Sequence, residues 1–300
     1  MCRMDKAKNA RQICALVIGG MNLDILGTGS SPFLEGDSIP GRIEIQPGGV
    51  GYNIACRLAK AGVKTELLTL LGDDFNADIL RAACLSEGIG LSLAVQTRGP
   101  SPLYLAIHDQ QGEMRAAVND TKALESLDPD CLRKILAGTD HFNACVLDAN
   151  LSVACLQSAA ENVSAPLIAD PVSAVKCLRL LPVMGSLTAI KPNRMEAWAM
   201  TGENSPQRAA EALIRLGVKQ VFISLGAEGV YYADTCQSGF HRASGIAGVS
   251  VTGAGDAMAA GITLGVAMGL PADETALLGM RYSHEYLLSR TERPIAKEDI

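Results

Sequence analysis

Residues 250–261, SVTGAGDAMAAG, combine the residue types best suited to phosphate chemistry. Gly253, Ala254 and Gly255 precede an acid, Asp256, and a long uncharged run. We expect this run to be a helix, whose first backbone N–H groups carry partial positive charge and lack intrahelical partners. A phosphate can approach such amides where the side chains are small. Asp256, in the first turn, would accept a proton from an attacking hydroxyl, and the helix dipole is expected to keep it ionised.

This stretch, and a second one around Asn193, also have a purely structural interpretation. An acid in the first turn stabilises a helix start by about 0.5–2 kcal/mol without touching any ligand. Asn193 and Glu196, in IKPNRME (190–196), have the spacing of a capping box, in which each side chain bonds the other residue's backbone. Their oxygens could equally face a magnesium–phosphate cluster through water. Both interpretations stay open at this point.

Other polar or glycine-rich stretches follow predicted strands. SLGAEG (224–229) ends a strand, at the edge where open α/β sheets bind ligands. PGGVGYN (47–53) permits close backbone approach to a ligand. Asn22 and Asp24 come just past the first strand, where Asp24 could bind sugar hydroxyls. Each of these stretches is also compatible with an ordinary turn.

The stretches lie within an alternation of predicted strands and helices. ICALVIGGMNLDI (13–25) is typical of a buried strand and a tight turn, and GGVGYNIACRLAKAGV (48–63) of a glycine loop that opens a helix. The alternation predicts a mostly parallel sheet covered on both faces. Two extended segments, about 35–47 and 101–118, interrupt it, and the second is expected to turn at Asp109–Gly112. We expect them to form a small separate sheet, a lid.

Composition argues against several classes of protein. The chain has 300 residues, of which 48% are hydrophobic, and its net charge of −6 argues against general nucleic-acid binding. Nine cysteines without a C-x-x-C pair and four histidines without zinc spacing predict reduced thiols in a cytoplasmic protein with no His or Cys metal site. Neither a P-loop nor a dinucleotide-binding glycine motif is present. The uncharged run 257–272 predicts a buried helix rather than a membrane span, and residues 1–12 a disordered tail.

Taken together, GGVGYNIACRLAKAG, Asn193–Glu196 and VTGAGDAMAAG occur in the order of the motifs of the ribokinase-like (PfkB) carbohydrate kinases. The sequence resembles that family over about residues 13–290. The resemblance implies a three-layer α/β/α fold of the ribokinase type, with a mostly parallel central sheet and a small β-sheet lid. It implies one kinase domain over residues 13–300 with the lid segments inserted in it. The implied reaction is phosphorylation of a sugar 5′-hydroxyl by ATP with Mg²⁺.

The resemblance also implies roles for individual residues. Asp256 would be the base, and Gly253, Ala254 and Gly255 the anion hole. The ribose site would be lined by Asn22, Asp24, Gly49, Val50 and Asn53, with Asp148 and Asn150 nearby. ATP would be bound by Asn193, Ser224, Gly226 and Gly229, and Glu196 would belong to the magnesium network. Relatives that bind potassium carry an acid or Asn where this chain has Ser250 and Val251, so a potassium requirement stays open.

Within the family, four stretches, 36–55, 112–120, 170–176 and 191–197, are most similar to the kinases that act on the nucleoside pseudouridine. A kinase for ribose, another sugar or an ordinary nucleoside is the alternative, and a non-catalytic ligand-binding relative is a third. Exposed lid strands have unpaired edges, which natural proteins tend to cover, so we expect a homodimer that pairs two lids. No membrane or nucleic-acid partner is expected.

Overall fold

The computed structural model describes residues 13–243 and 252–291. Within them the strands are β1 (Cys14–Ile18), β2 (Asn22–Gly29), β3 (Gly41–Gly48), β4 (Lys64–Leu68), β5 (Leu70–Leu71), β6 (Val95–Gln96), β7 (Leu103–His108), β8 (Met114–Asp120), β9 (Ala144–Asp148), β10 (Leu167–Asp170), β11 (Leu187–Ile190), β12 (Gln220–Ser224), β13 (Gly229–Asp234) and β14 (Ser238–Arg242). The α-helices are α1 (Val50–Lys60), α2 (Phe75–Ser86), α3 (Pro129–Leu136), α4 (Val153–Asn162), α5 (Arg194–Thr201), α6 (Pro206–Arg215), α7 (Ala254–Ala267) and α8 (Ala272–Thr291). The tail predicted at residues 1–12, and the pair Ser250 and Val251, lie outside the described residues.

The central sheet confirms the prediction of a mostly parallel arrangement. Its strand order, among the described residues, is β14-β13-β12-β11-β10-β9-β1-β4. The strands from β4 across to β12 are parallel, and β13 and β14 continue the sheet antiparallel. Because parallel strands share one carboxyl edge, the segments that follow β1, β9, β10 and β11 converge there.

Strand alternation builds the two faces of this sheet. Leu16 and Ile18 of β1 belong to one hydrophobic cluster and Ala15 and Val17 to the other, because successive side chains point to opposite faces. The first cluster also contains buried residues of α3, α4, α5 and α6, and the second contains residues of α1, α2, α7 and α8. The result is the predicted three-layer α/β/α fold.

The lid is a separate sheet of four strands in the order β3-β2-β7-β8. Its outer strands come from the two segments predicted to be extended, and the β7–β8 hairpin turns at the expected place, where the Gly112 N–H donates to the Asp109 carbonyl at 2.9 Å. The prediction was incomplete in one respect. Asn22 and Asp24 lie in a full strand, β2, rather than in a turn, and β2 is the strand that joins β3 to β7.

Helix α7 is a core helix, as the uncharged run predicts. Its buried residues include Ala260, Ile262 and Val266, which belong to the hydrophobic cluster shared with α1 and α8. No helix among the described residues has the length and apolar character needed to span a membrane. The buried α7 thus presents its N-terminus at the carboxyl edge of the sheet, next to the residue that follows β11.

Candidate active site

The start of α7 brings together the residues of the TGAGD motif. Gly253 has φ +86°, a left-handed conformation that glycine adopts without strain. Asp256 lies in the first turn, and its Oδ2 accepts a hydrogen bond of 2.8 Å from Asn53 Nδ2 of α1. A Cβ placed on Gly255 would lie 3.1 Å from Lys191 Nζ. The small residues at the start of α7 therefore lie directly beside a buried cation.

The pKa of the Asp256 carboxyl is higher than the sequence analysis assumed. Its pKa is raised to about 7, chiefly through desolvation by burial and also by the nearby Asp170 and Asp148 carboxyls, against Lys191 and the Asn53 amide, which lower it. With this pKa the acid is only partly ionised at neutral pH, so the helix dipole alone does not keep it fully ionised. The dipole acts on a charge that has lost most of its hydration, and the loss of hydration is the larger effect.

Lys191 and Asp170 form a buried ion pair next to Asp256. Lys191 Nζ lies 3.1 Å from Asp170 Oδ2, and the two residues are only 5% and 4% exposed. Burial alone would lower the pKa of Lys191, but the carboxylates of Asp170, Asp256 and Glu196 hold it above its ordinary value. Lys191 therefore stays a cation. Asp170 ends β10 and Lys191 directly follows β11, so the register of neighbouring strands makes this pair.

A cavity of about 220 Å³ lies between the lid and the central sheet. Five of the predicted ribose residues line it, namely Asn22, Asp24, Gly49, Val50 and Asn150. Gly49 has φ +99°, and a Cβ there would lie 2.6 Å from the Gly20 carbonyl oxygen, so only glycine fits this wall. Asn53 is not a lining residue. It lies one helical turn beyond Gly49 and Val50, where it bonds Asp256 and links the cavity to the start of α7.

Asp24 supplies the carboxylate of this cavity. Burial raises its pKa above the ordinary value, opposed by the amide of Asn22, which donates to its Oδ1. The pair therefore presents an oriented carboxylate and an amide in one wall. Such groups can bind the hydroxyls of a sugar, which is the role suggested for Asp24 from the sequence.

The lid contributes a row of side chains to the same cavity. In register across three strands, Asp24 of β2 is opposite Tyr104 of β7, which is opposite Asn119 of β8. All three line the cavity. The row continues on the other side of Asp24 to Gln46 of β3, which does not line it. The lid therefore places a phenol and an amide beyond the carboxylate.

Asp148, predicted to lie near the ribose site, does not line the cavity. Its side chain is fully buried at the end of β9 and accepts hydrogen bonds from the N–H groups of Gly20 (2.7 Å) and Asn150 (2.9 Å). Desolvation raises its pKa to about 6. Asp148 thus fixes two cavity-wall segments from below. Asn150 in turn accepts a hydrogen bond of 2.7 Å from Lys176, which also lines the cavity.

Val172 has the only positive φ of a non-glycine residue among the described ranges, at +65°. A β-branched side chain disfavours this conformation, so the backbone here is strained. The Val172 N–H donates a hydrogen bond of 2.9 Å to Asp170 Oδ1, which stabilises this strained conformation. Val172 also lines the cavity. The same Asp170 carboxylate therefore connects the cavity wall to Lys191.

The predicted ATP residues end or follow β11 and β12, two neighbouring strands of the central sheet. Asn193 and Glu196 form the capping box of α5, since the Glu196 N–H donates to Asn193 Oδ1 (2.9 Å) and the Asn193 N–H donates to Glu196 Oε2 (2.8 Å). Ser224 pairs with Asn193 through a β-bridge. Gly226 and Gly229, with φ of +62° and +128°, bound the short 3₁₀ turn after β12. The structural interpretation of Asn193 and Glu196 is therefore realised, and it is compatible with ligand binding.

The residues at the start of α7 fit the phosphates of ATP. The first amides of a helix lack intrahelical partners, and here they lie beside the buried cation Lys191, a combination that suits an anion. Among the described residues no three His, Cys, Asp or Glu side chains are grouped to hold a metal ion. This fits Mg²⁺, which keeps several waters and takes few protein ligands beside the substrate phosphates. Glu196, buried and beside the cation, is the carboxylate that would hold that hydration shell if Mg²⁺ bound here.

Sequence reasoning missed five residues of the site: Asp170, Lys191, Tyr104, Asn119 and Lys176. Asp170 and Lys191 end or follow parallel strands, so the rule that ligands bind at the carboxyl edge could have indicated them. Tyr104 and Asn119 carried no comparable signal. Their place in the cavity depends on how the lid strands pair, which the sequence does not specify locally.

Comparisons with known proteins agree with the fold and identify the family. The profile of the pfkB family carbohydrate kinases matches residues 14–290. The chain is 32% identical over 268 residues to the pseudouridine kinase of Escherichia coli (strain K12), covering 87% of this chain and 86% of that one. It is 28% identical to the pseudouridine kinase of Arabidopsis thaliana, over 71% of this chain and 63% of that one. Arabidopsis thaliana ribokinase, solved with ribose and ATP, has the same fold, with a TM-score of 0.78, 21% identity and 93% of each chain covered.

Proposed function

The chain belongs to the pfkB family of carbohydrate kinases, and from that premise we propose that it transfers the γ-phosphoryl group of ATP to the 5′-hydroxyl of pseudouridine. The family makes it a phosphotransferase with an alcohol acceptor. The nucleoside is the finer part of the proposal. The observation that carries it is the joining of Asp256, at the start of α7, to a sugar-sized cavity through Asn53.

Asp256 is the base of the proposed reaction. The nucleoside oxygen forms a bond to the γ-phosphorus, the bond between that phosphorus and the β,γ-bridging oxygen breaks, and the hydroxyl proton passes to Asp256 Oδ. ADP leaves with its new terminal charge. Because the attacking hydroxyl loses its proton late in phosphoryl transfer, a carboxylate with a pKa near 7 is basic enough to accept it.

The amides of Gly253, Ala254 and Gly255 hold the transferred phosphoryl group. Lys191 adds a positive charge that Asp170 fixes in place. Each donor preorganised in this way stabilises developing charge by roughly a few kcal/mol, because it needs no reorganisation during the reaction. Mg²⁺, when bound, neutralises phosphate charge. In this proposal the rest of ATP is bound by Asn193, Ser224, Gly226 and Gly229.

The lid supports a nucleoside rather than a bare sugar. Asn22 and Asp24 would bind the ribose hydroxyls, which leaves Tyr104 and Asn119 of the same row beyond the sugar. An amide such as that of Asn119 offers a donor beside an acceptor, which matches the adjacent N–H and C=O groups of a uracil ring. The similarity to two pseudouridine kinases also supports this base.

The substrate is tested by measuring ADP release with Mg-ATP and pseudouridine, uridine, adenosine, ribose or fructose. We expect the highest kcat/KM with pseudouridine. Turnover of ribose with no response to pseudouridine would refute the nucleoside and favour a sugar kinase. Binding without turnover of any of the five would favour a non-catalytic relative.

The lid also supports a homodimer, which we include in the proposal. Its outward face is apolar across all four strands, with Ile45, Ile25, Leu105 and Val118 in one register row. Ile43, Ile45 and Val118 are 72%, 58% and 64% exposed. An apolar patch of this kind is typical of an interface, and a second lid would cover it by an isologous contact.

A further inference from the structure

The peptide that joins Thr252 to Gly253 stands directly before α7. Gly253 has φ +86° and ψ −8°, a left-handed conformation that glycine adopts without strain. The peptide is planar and trans, so its C=O and N–H groups point in opposite directions. Whatever fixes the Thr252 carbonyl therefore fixes the Gly253 N–H.

Tyr286 of α8 holds that carbonyl. Its hydroxyl donates a hydrogen bond of 2.9 Å to the Thr252 carbonyl oxygen. The hydroxyl also packs against the turn itself, since a Cβ on Gly253 would lie 2.6 Å from Tyr286 Oη. With its carbonyl turned toward Tyr286, the peptide directs the Gly253 N–H away from α8. That N–H belongs to the anion hole of the proposed reaction.

Arg57 of α1 holds the ring of Tyr286. Its Cζ lies 4.3 Å from the ring centroid, within the range of a cation–π contact. Arg57 is four residues after Asn53, so both project from the same side of α1. Asn53 bonds the Asp256 carboxylate while Arg57 braces the tyrosine. One helix therefore supports both the base and the turn in front of it.

We propose that Tyr286 is a positioning residue that keeps the Gly253 N–H directed at the transferred phosphoryl group, with Arg57 holding the ring in place. The proposal rests on the proposed kinase function. In this proposal Tyr286 touches neither substrate and acts through the peptide that joins Thr252 to Gly253. Removing the hydroxyl takes away this restraint on the peptide, which weakens one donor of the anion hole during the chemical step and leaves the nucleoside cavity unchanged.

The test compares Tyr286→Phe with the full-length wild type. We expect kcat to fall about tenfold or more, since loss of a whole oxyanion donor costs about a hundredfold to a thousandfold. The KM for the nucleoside should stay within twofold. Binding of ADP with aluminium fluoride, which mimics the transferred group, should weaken about tenfold, while binding of ADP alone stays unchanged. A merely structural loss would change the melting temperature and both binding constants together.

Tyr282→Phe is the matched control, because Tyr282 lies one turn earlier on α8 and does not contact the Thr252–Gly253 peptide. It should keep the wild-type kcat. Arg57→Met should also lower kcat, but by a smaller factor. If Tyr286→Phe is unstable, Arg57→Met is used for the test instead. An active wild type with Tyr286→Phe at the wild-type kcat, or an equal loss in Tyr282→Phe, overturns this proposal alone. A wild type inactive on every substrate of the panel overturns the kinase proposal instead.

Discussion

The carboxyl edge of the central sheet and the inner row of the lid build the two halves of one cavity in different ways. At the sheet edge, Asp170 and Lys191 form a buried ion pair beside the Asp256 carboxyl, whose pKa is raised to about 7. In the lid, Asp24, Tyr104 and Asn119 lie on a thin sheet with an exposed apolar back. Charges in a dry environment act strongly on a reacting phosphate, whereas an adaptable polar row suits recognition of a ring. Changes at the sheet edge should therefore affect turnover, and changes in the lid should affect substrate choice.

The largest effect is expected from Asp256→Asn. Because the amide cannot accept the hydroxyl proton, kcat should fall by about a thousandfold or more while the Kd for ATP is kept. Calorimetric titration with ATP and steady-state kinetics on the same preparation measure the two quantities. A variant near the wild-type rate would reduce Asp256 to a helix-end acid.

A smaller and more selective effect is expected from Asn119→Ala. Loss of the lid amide should lower kcat/KM for pseudouridine about tenfold, equivalent to about 1.4 kcal/mol, and leave any turnover of ribose unchanged. Gln46→Ala is the matched control, since it removes an amide from the same row outside the cavity. Equal losses on ribose and pseudouridine would place Asn119 in general lid packing rather than in base recognition.

The pH dependence of turnover tests the electrostatics of the sheet edge and not those of the lid. Burial raises the pKa of Asp256 to about 7, so the acid is protonated and inactive as a base below that pH. We expect kcat/KM to rise with pH and level off above about 8, with about a tenth of the plateau at pH 6. Asp170→Asn should shift the rise to lower pH, because the Asp170 charge raises the Asp256 pKa. A profile that is flat from pH 6 to 8 would contradict this electrostatic account.

The smallest effect on turnover is expected from the back of the lid. Ile45→Lys places a charge in the apolar face and should convert a dimer to a monomer. Light scattering measures the mass, and Glu44→Lys, on the other face of β3, is the control. We expect kcat to change less than twofold, since no residue of the sheet edge is altered. A wild type that is already monomeric would refute the lid dimer.

The same division explains how much the sequence could predict. The layers, the parallel sheet and the buried α7 follow from periodicity and glycine-rich turns, which are local signals. The two motifs located Asp256, Asn193 and Glu196 for the same reason. The lid strand β2 was read as a turn because Asn22 and Asp24 follow a glycine pair, and its partner β7 is far along the chain.

The rest of the site depends on contacts that no local pattern contains. Lys191 meets Asp170 because β10 and β11 are neighbours in the sheet. The pKa of Asp256 could not be inferred from its helix position, since burial and the Asp170 carboxylate outweigh the dipole. Asp148 has the residue type of a ligand, and only its full burial reveals a supporting position beneath the cavity.

The central claim is that the start of α7 and Asp256 together transfer a phosphoryl group to a nucleoside hydroxyl. The most direct measurement is phosphorus NMR of wild type and Asp256→Asn incubated with Mg-ATP and pseudouridine. The account predicts one new 5′-monophosphate, formed in equal amount with ADP by the wild type and absent with the variant. Release of inorganic phosphate without a nucleoside phosphate, or equal product from both proteins, would contradict it.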